Sequence, residues 1–320
     1  MLVTMMCSSG RARSALVAAT LLLGACSRSS QRLPPTSSPA GPTATVTTPA
    51  PPTVAPSSSP TLPARPAPPL APAPTALPKA STSPAPLPTA ATRGLGPLPP
   101  GGLAGRVVAI DPGHNGQNYA HTAEINRLVN IGNGTKACDT TGTATRDGYS
   151  EAAYNLDVAQ RLASLLSAAG ARVVLTRADN SGWGPCIDQR AAIANQAHAD
   201  VAISIHADGS TTGRGFHVIY PASLPGLTAA IAAPSLRLAL DVRSAYAAGT
   251  GVPYSTYIGH AALDQRSDLG GLNLSTVPKV FIETGNMRDA ADAALLEDPG
   301  FRQRAAQALA AGLQAFLTGH

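Results

Sequence analysis

The sequence predicts one α/β domain over residues 101–320, a mostly parallel, twisted sheet with helices on both faces, and three observations predict it. Short β-branched runs alternate with longer stretches of helical periodicity, the pattern of strands joined by crossover helices. Several runs break off at a His or a Glu, which places reactive side chains along one edge of the sheet. All but eight of the 30 prolines lie before residue 101, so the upstream chain is of a different kind.

Arg11 and Arg13 precede the apolar run Ser14 to Cys26, which is too short for a permanent membrane span and reads as a signal peptide over residues 1–26. Leu23-Gly24-Ala25-Cys26 resembles a bacterial lipobox, giving membrane attachment through a lipidated Cys26; an ordinary signal peptide is the alternative. Residues 27–100 are Pro, Ala, Ser and Thr without an acidic residue. Such a segment cannot bury enough apolar surface to offset its ordering entropy and reads as a disordered spacer. A Pro-rich ligand or a glycosylated stalk has the same composition. The expected location is the cell envelope or periplasm, with or without a lipid anchor.

The net charge of +5 belongs to this leader. After residue 100 there are 16 Lys and Arg against 18 Asp and Glu, so the domain carries 16 − 18 = −2 and has no basic face for nucleic acid. Cys138 and Cys186 are the domain's two cysteines, and in an exported protein they are expected to pair. A two-cysteine metal site fits less well, because neither has a close mate.

Val107 to His114, VVAIDPGH, opens the domain as a buried strand stopped by Pro112 and Gly113. Residues 115–149 are rich in Gly, Asn and Thr and read as a long loop or short hairpin forming a rim. Ser150 caps a helix with Glu151 in its first turn, and Gly170 ends it. Arg172 to Thr176 is a strand, Asp188 to His198 a short helix, and Val201 to His206 a third strand ending in His. Gly215 to Tyr220 is a strand, Leu227 to Tyr246 a helix, and residues 249–273 are irregular. Lys279 to Glu283 closes the sheet with a carboxylate, and Phe301 to Leu317 is an amphipathic helix covering one face.

His114, Glu151, His206 and Glu283 thus converge on one edge. Two imidazoles and a carboxylate with an open position form a hydrolytic zinc site, and a second carboxylate can shuttle the proton; Glu283 takes that role. Taken singly, each residue is equally at home as a surface His or as a helix-dipole Glu.

With DPGH at Asp111 to His114, Glu151 opening a helix, SIHAD at Ser204 to Asp208 and FIETGN at Phe281 to Asn286, the domain resembles zinc-dependent N-acetylmuramoyl-L-alanine amidases of the Amidase_3 type, the mycobacterial cell-wall enzymes among them. The resemblance implies one Zn2+ held by His114, Glu151 and His206, with Glu283 as the catalytic glutamate. It also implies cleavage of the amide between N-acetylmuramic acid and L-alanine in peptidoglycan or muropeptide fragments, by a monomer. Arg190 matches a recurrent family arginine, though a structural ion pair explains it better. The departures are Asn115 in place of Gly and Asp208-Gly209 in place of Asn-Ala. Asp111 and Asp208 are candidates to orient ligand imidazoles, or are turn-formers. His217 reads as structural, while His121 and His260 sit on rim loops. A zinc carboxypeptidase acting on stem peptides and a non-catalytic wall-binding domain are the alternatives; the latter should have lost a ligand or Glu283.

Overall fold

The computed structural model describes residues 98–319; the signal segment and nearly all of the Pro-rich spacer lie outside the described residues. The elements in chain order are β1 (Val107–Pro112), α1 (Thr122–Ile125), β2 (Leu128–Asn130), β3 (Thr135–Ala137), α2 (Glu151–Ala168), β4 (Arg172–Leu175), α3 (Ile187–Gln196) and β5 (Val201–Asp208). They continue with β6 (His217–Pro221), α4 (Ala229–Thr250), β7 (Leu263–Arg266), α5 (Gly270–Asn273), β8 (Lys279–Asn286), α6 (Ala290–Glu297) and α7 (Pro299–Thr318). Among the described residues no helix is long and apolar enough to cross a membrane.

Six strands form one sheet in the order β4-β1-β5-β8-β6-β7, parallel throughout except where β6 meets β8. The exception follows from chain length. A parallel return needs a crossover of a dozen or more residues, and residues 209–216 between β5 and β6 are too few. β2 and β3 pair antiparallel as a separate hairpin in the rim.

Side chains alternate across the sheet. On one face Val108 and Ile110, Ile203 and Ile205, and Val280 and Ile282 join Leu162 of α2, Leu238 of α4 and Leu309 of α7 in the main core. Truncating a wholly buried leucine such as Leu162 to Ala costs about 2–5 kcal/mol. On the other face Ala109 and Ala202 are small and receive Ala194 of α3. Two and four positions further along, the same alternation brings Asp111, Ser204 and His206 to that second face.

Three regions differ from the sequence expectation. The stretch 249–273 contains β7, which lies parallel to β6, and the short α5. α6 is an additional helix, capped by Asp289, whose side chain accepts from Ala291 N and Asp292 N. β5 and β8 run on past His206 and Glu283 to Asp208 and Asn286, so those two side chains rise from the face of the sheet near its edge and do not end their strands.

Candidate active site

His114 leaves β1 after a turn in which Gly113 is compelled: a Cβ at that position would enter the imidazole ring of His206. His114 itself has φ of 56°, in the left-handed region that costs a non-glycine residue about 1–2 kcal/mol. Arg177 steadies the turn from beneath, donating to Pro112 O at 2.9 Å and Gly113 O at 3.1 Å.

Glu151 is delivered by the capped start of α2, where Ser150 Oγ accepts from Ala153 N at 3.3 Å. Its carboxylate lies between the two imidazoles, Oε2 3.2 Å from His114 Nε2 and Oε1 2.9 Å from His206 Nδ1. Thr143 N donates to Oε2 at 3.0 Å. Gly142, with φ of 73°, must lack a Cβ, which would stand 2.8 Å from both Glu151 Oε2 and His114 Cδ2. The His206 ring stacks on Phe281 at 5.4 Å and meets the His114 ring edge-on at 4.9 Å. Thr284 Oγ1 donates to His206 O at 2.7 Å.

One ligand atom from each of His114, Glu151 and His206 falls within 4.8 Å of the others, a separation that suits a shared metal ion. Burial opposes a proton on His114, but the Glu151 charge and the hydrogen bonds to Asp139 and Glu151 outweigh it and raise its pKa to about 10. Burial likewise opposes ionisation of Glu151, and the two imidazoles outweigh it, holding the carboxyl well below the usual range. His114 and Glu151 therefore favour each other's charged forms, with His206 on the far side of the same carboxylate.

Glu283 stands beside them, in register with His206 across β5 and β8. Burial pushes its carboxyl well above the usual carboxylate range, and the charges of Glu151 and Asp208 act in the same direction. Its Oε2 is buried with no hydrogen-bond partner among the described residues. A buried carboxylate oxygen without a partner, next to a metal-shaped trio, is suited to receive and release a proton.

The site opens into a cavity of about 370 Å³ lined by Glu151, Asp208, Arg266 and Glu283, and into an adjoining one of about 260 Å³ lined by Ala137, Ile187, Leu269 and Phe281. His114 and His206 border both. The rim closes where the β2–β3 hairpin meets the chain after β7: Lys136 Nζ donates to Asp268 Oδ2 at 2.7 Å, and Asp268 also takes Arg266 Nε at 2.7 Å.

Several expectations find their places. Cys138 and Cys186 are bonded. Arg190 is buried in ion pairs with Asp111 at 2.9 Å and Asp139 at 3.1 Å, the structural reading. His217 is buried, and His260 is exposed. His121 stacks on Trp183 at 5.8 Å, and neither His121 nor His260 lines the two cavities. Asn115 donates to Gly184 O at 2.9 Å, so this departure braces the loop that carries Trp183.

Asp111 and Asp208 do not orient the imidazoles. Asp111 lies two residues before the turn and takes Thr176 Oγ1 and Ser204 Oγ at 2.6 Å each, together with Arg190 and Lys279. Asp208 bonds the N–H of Gly209 at 2.6 Å. The carboxylate on His114 Nδ1 is Asp139, at 3.2 Å, a residue that carries no periodic or motif signal and that only its neighbour Cys138 could have drawn attention to. Asn155, which reaches both Gly113 O and Glu151 Oε1, was missed; its place one helical turn after Glu151 was the signal that could have found it.

Residues 108–315 match the Amidase_3 family, described as N-acetylmuramoyl-L-alanine amidase. The chain is 44% identical over 220 residues to an N-acetylmuramoyl-L-alanine amidase of Mycobacterium tuberculosis, covering 68% of this chain and 89% of that one. The crystal structure of the amidase Ami1 from Mycobacterium smegmatis superposes with a TM-score of 0.64 at 44% identity, covering 68% of this chain and 99% of the other. Apo Ami1 from Mycobacterium abscessus gives 0.63 at 43%, over 67% and 99%. On the family match, these relatives and the shared fold, the chain belongs to the N-acetylmuramoyl-L-alanine amidase family.

Proposed function

We propose that residues 101–320 are the catalytic domain of a zinc-dependent peptidoglycan amidase that hydrolyses the amide between the lactyl group of N-acetylmuramic acid and L-alanine of the stem peptide. The single observation that carries this is the juxtaposition of the His114, Glu151, His206 trio with the unpartnered Glu283 oxygen, in a chain of the amidase family.

The donor set suits zinc: two nitrogens and one carboxylate oxygen, without thiolate, is a hydrolytic pattern with room for water or substrate. His114, Glu151 and His206 would hold the ion. Bound there, zinc supplies Lewis acidity, polarising a carbonyl and lowering the pKa of water toward neutrality. Glu283, neither a ligand nor hydrogen-bonded at Oε2, takes the proton of the attacking water and returns it to the leaving L-alanine nitrogen. Its burial keeps its proton affinity high enough for both transfers. Phe281 holds the His206 ring by stacking, and the rim formed by Lys136, Arg266 and Asp268 borders the groove in which the substrate lies.

The domain acts outside the membrane in this account, as a monomer. A signal peptide of lipoprotein type over residues 1–26 would export it, and the Pro-rich 27–100 segment would give a domain tethered at Cys26 the length to reach the wall. Metal-stripped protein reconstituted with one equivalent of zinc should regain cleavage of muropeptides, whereas magnesium or calcium should not restore it. Equal recovery with magnesium would remove zinc from the account.

A further inference from the structure

The ring of His114 can serve a metal only if its plane and tautomer are set, and one pair of charged residues touches both its ring and its backbone. Asp139 is buried at 6% exposure, with Oδ1 3.2 Å from His114 Nδ1 and Oδ2 3.1 Å from Arg190 Nη2. The same Arg190 nitrogen donates to His114 O at 3.0 Å. Imidazole, carbonyl, guanidinium and carboxylate thus form a closed ring around a residue whose backbone is in the left-handed region. Strained residues of that kind persist only where their surroundings over-determine them.

The segments bearing the pair are joined covalently. Asp139 follows Cys138, and Arg190 lies in the first turns of α3, whose N-cap is Cys186. Ile187 N donates to Cys138 O at 2.8 Å beside the bridge. Beneath, Arg190 Nη1 is fixed by Asp111 Oδ1 at 2.9 Å, and Asp111 by Lys279 Nζ at 3.3 Å, so the guanidinium is anchored to the sheet itself.

We propose that Asp139, paired with Arg190 and held by the Cys138–Cys186 bridge, is the positioning residue that orients the His114 imidazole toward the metal. The proposal rests on reading His114 as a ligand. Asp139 and Thr140 O, the latter at 3.0 Å, accept from Nδ1, which turns Nε2 toward Glu151, where it would be the nitrogen that faces the metal. Thr140 is not an independent support, because its own N–H is held by Asp139 Oδ1 at 2.7 Å. It does keep a bond from Asn118 Nδ2 to its carbonyl at 2.7 Å, so loss of Asp139 weakens the orientation without abolishing it.

The test is zinc affinity of the full chain, measured by competition with a chromophoric chelator, with no substrate present. Asp139→Ala should weaken zinc binding about 10- to 100-fold. At saturating zinc it should still lower kcat, because the loaded ion is held by a less constrained imidazole. Asp139→Asn should be intermediate: an amide has one acceptor oxygen and must abandon either His114 or Arg190. The Cys138→Ser, Cys186→Ser double variant should shift zinc affinity in the same direction. Parent zinc affinity in an Asp139→Ala protein with an unchanged circular dichroism spectrum would overturn the proposal. If that variant does not fold, parent affinity in Asp139→Asn would do so. A parent protein that binds zinc and cuts no muropeptide would instead count against the amidase reading and leave this one standing.

Discussion

His206 and Glu283 face one another as register partners on adjacent parallel strands, β5 and β8, and their side chains rise together from the face of the sheet opposite the main core. The sheet's hydrogen bonds, and no flexible loop, thus set the spacing between the proposed metal-binding imidazole and the proposed proton-transfer carboxylate. Sites built on strands hold geometry more tightly than sites built on loops.

Glu283→Gln follows directly from that relationship. The amide is nearly isosteric and leaves the trio intact, so zinc stoichiometry by elemental analysis should remain at the parent value. Because general acid–base transfer contributes about 10²- to 10⁴-fold, kcat should fall by that much. Loss of zinc from this variant would instead make Glu283 a ligand.

Gly113→Ala tests the close approach of the first strand to the second imidazole. The new methyl meets the His206 ring, and the ring must move. Overpacking of this kind costs about 1–3 kcal/mol, so the domain should still fold, with a lower Tm. Calorimetric titration should show weakened zinc binding; unaltered binding would mean that His206 is not held where the structure puts it.

Asp111 links the site to acid stability. Burial opposes its ionisation, but Lys279 and Arg190, with hydrogen bonds from Ser204 and Thr176, outweigh that and depress its pKa far below the unfolded value of about 3.9. A carboxyl depressed on folding stabilises the native state above its unfolded pKa, and the contribution is lost as pH falls toward the folded pKa. Urea unfolding of Asp111→Asn should show about 3–5 kcal/mol less stability at pH 7, because buried Lys279 loses its carboxylate partner and buried Arg190 keeps only Asp139. Below about pH 4 its stability should fall less steeply with pH than that of the parent. Parallel curves for the two proteins would contradict this.

Zinc should also stabilise the fold by mass action, since the trio comes together only in the native state. At a free concentration of 100 times Kd the gain is about 2.7 kcal/mol, readable as a rise in Tm that a chelator reverses. A Tm indifferent to both zinc and chelator would argue against a metal at this site.

The four reactive residues were legible because each ends or opens an apolar run: His114 after VVAIDPG, His206 after VAISI, Glu283 after KVFI, and Glu151 after its cap. Local pattern is enough to put such side chains at one end of a parallel sheet. Asp139 was not legible, because its position depends on a disulfide partner 48 residues away and on Arg190, and neither contact leaves a local pattern. β7 escaped notice since LDQR is mostly polar and pairs on one side only, at the end of the sheet. The antiparallel β6 was within reach of the sequence, because the short link after β5 forbids a parallel return.

The most direct measurement is hydrolysis of a purified muropeptide in heavy-oxygen water, with mass spectrometry of both products. The account predicts one heavy oxygen in the lactyl carboxylate of the muramoyl product, an unlabelled stem peptide with a free L-alanine amine, and both products formed about 10²- to 10⁴-fold more slowly with Glu283→Gln. Heavy oxygen in the carboxylate of a shortened stem peptide, with the lactyl amide intact, would contradict it and make the protein a carboxypeptidase.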